Sequence, residues 1–266
     1  IARFSIPGKC YADWWDRFKP YFGLGSCAPD FFYFPLVPLV GKEIKSDLSW
    51  SDIANPLHSN NSYDMFCYLL DEAKKSKITT IDGNGGERAQ KQFAFAFGYY
   101  THVIADCIFH PYIYRATGDF WNTLDISAEL LHKKYELYID NELYRRYYPR
   151  KENIERMKIE CNSPESELLD YDIAEMFNNA LKDIYTDLFP NNLIYTDRNH
   201  PIQQAYAALK KTVPLLFKGK KIYLWGNGRE FEFGIKDLVA LFSENFTNEL
   251  QGRTYGLNGH TPNELF

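Results

Sequence analysis

The sequence predicts an all-α (mainly α) protein. Strand-like alternation is scarce along its 266 residues, and apolar residues recur at helical spacing in nearly every segment free of Gly and Pro. A composition that is 45% hydrophobic and 17% aromatic supplies enough apolar surface for a sizeable core. No repeat, low-complexity tract or linker divides the chain, so a single helical domain over 1–266 is expected.

Taken in order, "CYADWWDRFKPYF" (10–22) reads as a short helix ended by Pro20, and "GLGSCAPD" (23–30) as a loop by its Gly, Ser and Pro content. Residues 35–56, rich in Pro, Gly and polar side chains, read as a second loop. The helix over 61–75 places Met65, Leu69 and Leu70 on one face. "IDGNGGER" (81–88) lacks the Lys-Ser/Thr that a phosphate cradle needs and reads as a helix lead-in. The helix it opens runs from about Glu87 to His110 and is expected to stop at Pro111, because proline disfavours helical geometry in the residue before it.

Further helices are expected at about 126–147, 165–188, 201–217 and 235–250. "GKKIYLWGNGREFEFG" (219–234) alternates around "WGNGRE" and suggests a small C-terminal hairpin.

Composition excludes some functions. A formal charge of -5 argues against strong nucleic-acid binding, which needs clustered Lys and Arg. "FFYFPLVPLV" (31–40) is too short and too broken by proline to span a bilayer, so no transmembrane span is expected. The five cysteines are scattered and form no CxxC pair; Cys67 and Cys107 read as buried thiols, which leans towards a reducing compartment.

The chemistry lies in "GYYTHVIADCIFHP" (98–111), where His102, Asp106 and His110 recur every four residues and so form one slowly winding stripe. "HKKYE" (132–136) repeats the device with His132 and Glu136. Two antiparallel helices joined by about twenty residues can aim both sets into one space. A histidine on an apolar face is usually a hydrogen-bonded core residue, but only six histidines exist and three fall in these two windows beside carboxylates. Neutral imidazole with carboxylate and no nearby cysteine favours an open, catalytic zinc site, and five such ligands suffice for two metals. No G-x-S-x-G elbow or Cys-His pair offers an alternative nucleophile.

"FGYYTHVIADCIFHPYIYRATGD" (97–119) followed by "ELLHKKYELYIDNEL" (129–143) resembles the zinc-dependent phospholipase C family, whose pattern is HxxxD, then His, then HxxxE. "GSCAPDFFYF" (25–34) resembles its GxxxPDxFF segment and "NPLHSN" (55–60) its next histidine-bearing segment. The resemblance covers about 23–143, the expected metal-site core, and implies a multi-helix bundle of that type. It implies that His58, His102 and Asp106 hold one zinc and that His110, His132 and Glu136 hold a second. Asp30 would lie beside the metals as a further ligand and catalytic group that orients or deprotonates the attacking water.

The activity so implied is metal-dependent phosphoric diester hydrolysis, phospholipase C-like cleavage of a phospholipid headgroup by a metal-activated water between two zinc ions about 3.5–4 Å apart. Single-strand-specific zinc nucleases share the scaffold, so a nuclease is the alternative within this chemistry, and a non-catalytic, zinc-braced lipid- or protein-binding protein the alternative outside it. The aromatic segment from Asp30 and the tyrosines Tyr99, Tyr100, Tyr112 and Tyr114 are candidates for headgroup contact or peripheral docking at a membrane surface, although most aromatic stripes at helical spacing are plain core.

Two departures from the family pattern stand out. Asp106 and His110 are separated by three residues, where secreted bacterial members have five. The family's third metal uses the mature N-terminal residue and an early histidine, but no histidine precedes His58 and the first residue is Ile1. Either that part of the chain lies outside the sequence or the third site is absent, so two or three zinc ions are expected. His200 and His260 read as surface or loop residues, Asp140 as a carboxylate one turn beyond Glu136, and 150–266 as a helical extension with no identifiable chemistry.

Overall fold

The computed structural model describes residues 9–36, 50–59, 61–79, 85–118, 131–132, 135–136, 139, 168–185, 197–217, 222–226 and 229–233. Six α-helices carry most of them: α1 (Lys9–Cys27), α2 (Trp50–Ser59), α3 (Ser62–Thr79), α4 (Gly85–Thr117), α5 (Tyr171–Ile184) and α6 (Pro201–Phe217). A 3-10 helix spans Phe31–Leu36. The expected hairpin is present, with β1 (Ile222–Gly226) antiparallel to β2 (Arg229–Phe233) and Ile222 opposite Phe233. The fold is thus mainly α. Leu131, His132, Tyr135, Glu136 and Ile139 are helical; the rest of the helix expected at 126–147, the helix at 235–250, and His260 lie outside the described residues.

The chain forms two compact units. The first comprises Ile1–Leu36, Val40–Val103 and Arg156–Val213, and the second Val37–Leu39, Ile104–Glu155 and Pro214–Phe266.

The core of the first unit is aromatic. Phe31, Phe32, Phe95, Phe177 and Tyr206 are fully buried. Phe177 meets Phe31 and Phe95 in edge-to-face arrangements at 6.0 and 5.6 Å between centroids and stacks with Phe32 at 6.4 Å. Phe31 and Phe32, within the segment that offered a docking surface, are therefore core. Helix α5 explains its own burial: Ile173, Ala174, Met176, Phe177, Ala180 and Leu181 recur at i, i+3, i+4 and i+7 and are all buried.

Prolines stop fewer helices than expected. Helix α1 continues through Pro20 to Cys27, and α4 through Pro111 to Thr117. Helix α2 occupies part of the expected loop 35–56 and contains Pro56. An interior proline costs about 3 kcal/mol, whereas burying a large apolar side chain contributes about 1.5–3 kcal/mol. In α2, Trp50, Ile53, Ala54 and Leu57 are all buried, so packing outweighs the lost hydrogen bond. In α4, Cys107 and Pro111 are both exposed, so the carbonyl that Pro111 cannot serve lies on the solvent side. What ends α4 is Gly118, at φ 91°, whose N–H bonds the Tyr114 carbonyl at 2.8 Å. His110 therefore sits within α4, and not at its exit.

The cysteine reading also needs correction. Cys67 and Cys107 are outside any disulfide, but Cys107 is exposed and Cys67 only partly buried.

Candidate metal centre

In the first unit, the end of α1, the 3-10 helix, α2 and α4 bring together Asp30, His58 and His102, whose ligand atoms all lie within 4.8 Å of one another. Helix α1 ends at Cys27 and the chain turns at once, with Ala28 N–H bonding the Gly25 carbonyl at 3.0 Å and Asp30 N–H the Cys27 carbonyl at 3.1 Å. That turn sets Asp30 at the start of the 3-10 helix, which is tied to α2 by the Tyr33 hydroxyl donating to Asn55 Oδ1 at 2.8 Å. The Tyr33 ring lies 5.2 Å from that of His58.

His58 donates from Nδ1 to the Ala54 carbonyl at 3.0 Å and from Nε2 to Asp30 Oδ1 at 3.0 Å. Burial alone would lower its pKa; the hydrogen bond and charge of Asp30, with the Ala54 carbonyl, outweigh this and raise it above the usual imidazole value. His102 donates from Nδ1 to the Ser26 carbonyl at 2.8 Å, and that nitrogen lies 3.9 Å from Asp30 Oδ2. With Nδ1 committed to a carbonyl, Nε2 is the nitrogen each ring could offer a metal once it carries no proton, the usual way a protein fixes a ligand tautomer. The two imidazole side chains are 14% exposed and the Asp30 carboxylate 43%, so this group is open on its carboxylate side.

In the second unit, His110 from α4 and the helical residues His132 and Glu136 form a matching group, again within 4.8 Å. Both Nε2 atoms bond Glu136 Oε1, at 3.1 Å from His110 and 3.0 Å from His132. Burial pushes the Glu136 carboxyl upwards, but the two histidine hydrogen bonds and charges win and lower its pKa to about 2. Tyr114 packs against both rings, at 5.3 Å from His110 and 5.1 Å from His132. Asp106 lies one turn before His110, with Oδ1 3.9 Å from its Nε2, and is outside both close groups.

Each group offers imidazole and carboxylate donors within one coordination sphere and no thiolate. That donor set fits zinc in an open site better than a closed structural one. Sequence reasoning singled out all of these side chains. It missed the Ser26 and Ala54 carbonyls, and it passed over the glycines of "GLGS" and "FGYY" that bring α1 and α4 together. A glycine inside a helical run such as Gly98 was the available signal. His200, expected at the surface or in a loop, stands in the bend before α6 but is fully buried, and accepts the Ile202 N–H on Nδ1 at 3.2 Å, capping that helix.

A helical scaffold carrying two such histidine–carboxylate groups is one on which metal-dependent hydrolysis can be built. The family model for zinc dependent phospholipase C matches residues 7–187, and the chain belongs to that family. No curated protein and no solved structure matches it significantly. Membership implies a zinc-dependent hydrolase with a phospholipid substrate class, and among the described residues no helix is long and apolar enough to cross a membrane.

Proposed function

We propose that the protein hydrolyses the headgroup phosphodiester of a phospholipid, with one zinc held by Asp30, His58 and His102 and another by His110, His132 and Glu136. The observation that carries this reading is the convergence of each trio within 4.8 Å in a chain of this family. Zinc bound there supplies a Lewis acid and brings the pKa of a bound water towards neutrality.

The chain's own residues do the rest. The Ala54 and Ser26 carbonyls hold His58 and His102 in the tautomer that offers Nε2. Asp30, the most exposed of its trio, orients the attacking water and accepts its proton. Asp106 supports His110 from one turn away, and Tyr114 packs over the His110 and His132 rings.

Peripheral contact with the lipid surface falls to the outer side of α4. Ile104, Cys107, Ile108, Pro111, Tyr112 and Arg115 recur at i, i+3, i+4, i+7, i+8 and i+11 and are all exposed. Ile108 is 52% exposed and Tyr112 50%, the stripe holds no acidic residue, and Arg115 at its end can meet a phosphate.

The test is elemental analysis of protein purified without chelator, followed by parallel assays on phosphatidylcholine vesicles and single-stranded DNA. Bound zinc with phospholipid cleavage supports the reading. Bound zinc with DNA cleavage alone makes the protein a nuclease, and zinc with no turnover on either makes it a braced binding protein.

A further inference from the structure

We propose that Gly25 and Gly98 act together as a positioning device for the first metal group, seating α1 against α4 so closely that the Ser26 carbonyl fixes the tautomer of His102. A Cβ built on Gly25 would stand 2.0 Å from the Phe95 carbonyl oxygen, and one on Gly98 would stand 2.0 Å from the Phe22 carbonyl oxygen and 2.8 Å from the Ser26 nitrogen. Every atom met is backbone, so no side-chain rotation relieves the overlap. The helices would have to part by roughly 1 Å or more to reach ordinary contact.

The crossing lies beside the chemistry. Ser26, whose nitrogen abuts Gly98, is the residue whose carbonyl accepts from His102 Nδ1 at 2.8 Å, and His102 is one turn beyond Gly98 on α4. Gly25 provides the carbonyl that begins the turn into Asp30. One backbone contact thus sets the orientation of His102 and the start of the turn that delivers Asp30, two of the three donors. Parting the helices by about 1 Å takes the 2.8 Å bond beyond hydrogen-bonding range, and His102 is then free to present Nδ1 instead of Nε2. Neither glycine touches the metal or substrate; both act through the helices they join.

This inference rests on His102 being a zinc ligand, so the experiment reads that separately. Metal-free parent protein labelled with ¹⁵N-histidine is examined by NMR at pH 8.5. His102 is expected as the Nδ1–H tautomer, and finding it as Nε2–H overturns the proposal even if no variant folds. In Gly25→Ala and Gly98→Ala, the His102 signal is expected to shift towards the other tautomer while those of His110 and His132 stay in place. Zinc affinity, measured by competition with a chromophoric chelator, is expected to fall 10–100-fold, as for loss of an outer-shell partner. Leu24→Ala, which empties a buried site on α1 without separating the backbones, serves as the packing control and is expected to keep both tautomer and affinity. Folded glycine variants with unchanged tautomer and affinity, or an equal loss of affinity in Leu24→Ala, overturn the proposal. A parent protein that binds no zinc defeats the functional reading but leaves the tautomer result standing.

Discussion

At the scale of single residues, the proposed roles in the first candidate group divide between holding a metal and reacting. His58 and His102 are mostly enclosed and each gives Nδ1 to a main-chain carbonyl, whereas Asp30 keeps 43% of its carboxylate exposed. Asp30→Asn retains an oxygen donor but removes the proton acceptor, so zinc is expected to stay bound while turnover falls about 10²–10⁴-fold. Metal analysis beside kcat on a phospholipid checks this, and retained turnover removes Asp30 from the chemistry. In the second group, Tyr114→Ala empties the space against His110 and His132. Of the donors, His132 and Glu136 were legible from their i, i+4 spacing, and Asp30 and His58 only from the family resemblance of the segments that carry them, whereas Asp106, at i+4 from His102, falls outside both groups. The carbonyls that orient the rings were not legible, since every residue has one and only the fold selects Ser26 and Ala54.

At the scale of elements, caps and pins decide where helices begin. Helix α5 starts on Asp170, whose Oδ1 accepts the Asp172 N–H at 3.0 Å while Oδ2 accepts from Lys91 and from the Tyr21 hydroxyl, each at 3.2 Å. Asp170→Ala removes the cap and both pins and is expected to cost about 1–2 kcal/mol, read as a lower urea midpoint. Helix α6 starts on His200, whose burial first, and the charge of Lys182 second, lower its pKa to about 4. A histidine depressed in the folded state binds its proton more readily when unfolded, so stability rises with pH between about 4 and 6.5. The contribution is complete above 6.5 and lost as pH falls towards 4, amounting to about 1–3 kcal/mol. His200→Asn keeps a capping acceptor without the titration, and its melting temperature is expected to vary less across that window. Helices α3 to α6 were legible from apolar periodicity. Helix α2 was not, because Pro56 and its polar neighbours carry the composition of a loop and only the burial of Trp50, Ile53 and Leu57 overrides them.

At the scale of the whole molecule, metal and lipid surface should act on different observables. Both trios combine positions distant in sequence, so zinc that binds only the folded chain stabilises it by mass action, about 2.7 kcal/mol at a free concentration 100 times Kd. Thermal melts with and without chelator are expected to differ by several degrees, and coincident melts would count against zinc at either trio. The exposed stripe of α4 contains none of the six donor residues and faces outward at Ile104, Ile108 and Tyr112. Ile108→Glu should therefore leave the zinc-dependent melt and hydrolysis of a monomeric short-chain phospholipid intact. On vesicles, it forfeits the insertion of one large apolar side chain, about 2 kcal/mol, and adds the cost of desolvating a charge. A loss of 10-fold or more in vesicle binding follows, since each 1.4 kcal/mol is a factor of ten. Vesicle sedimentation beside the short-chain assay checks the split. Equal losses in both assays would place Ile108 in the active site's support, and no loss in either would leave the stripe without a role at the membrane.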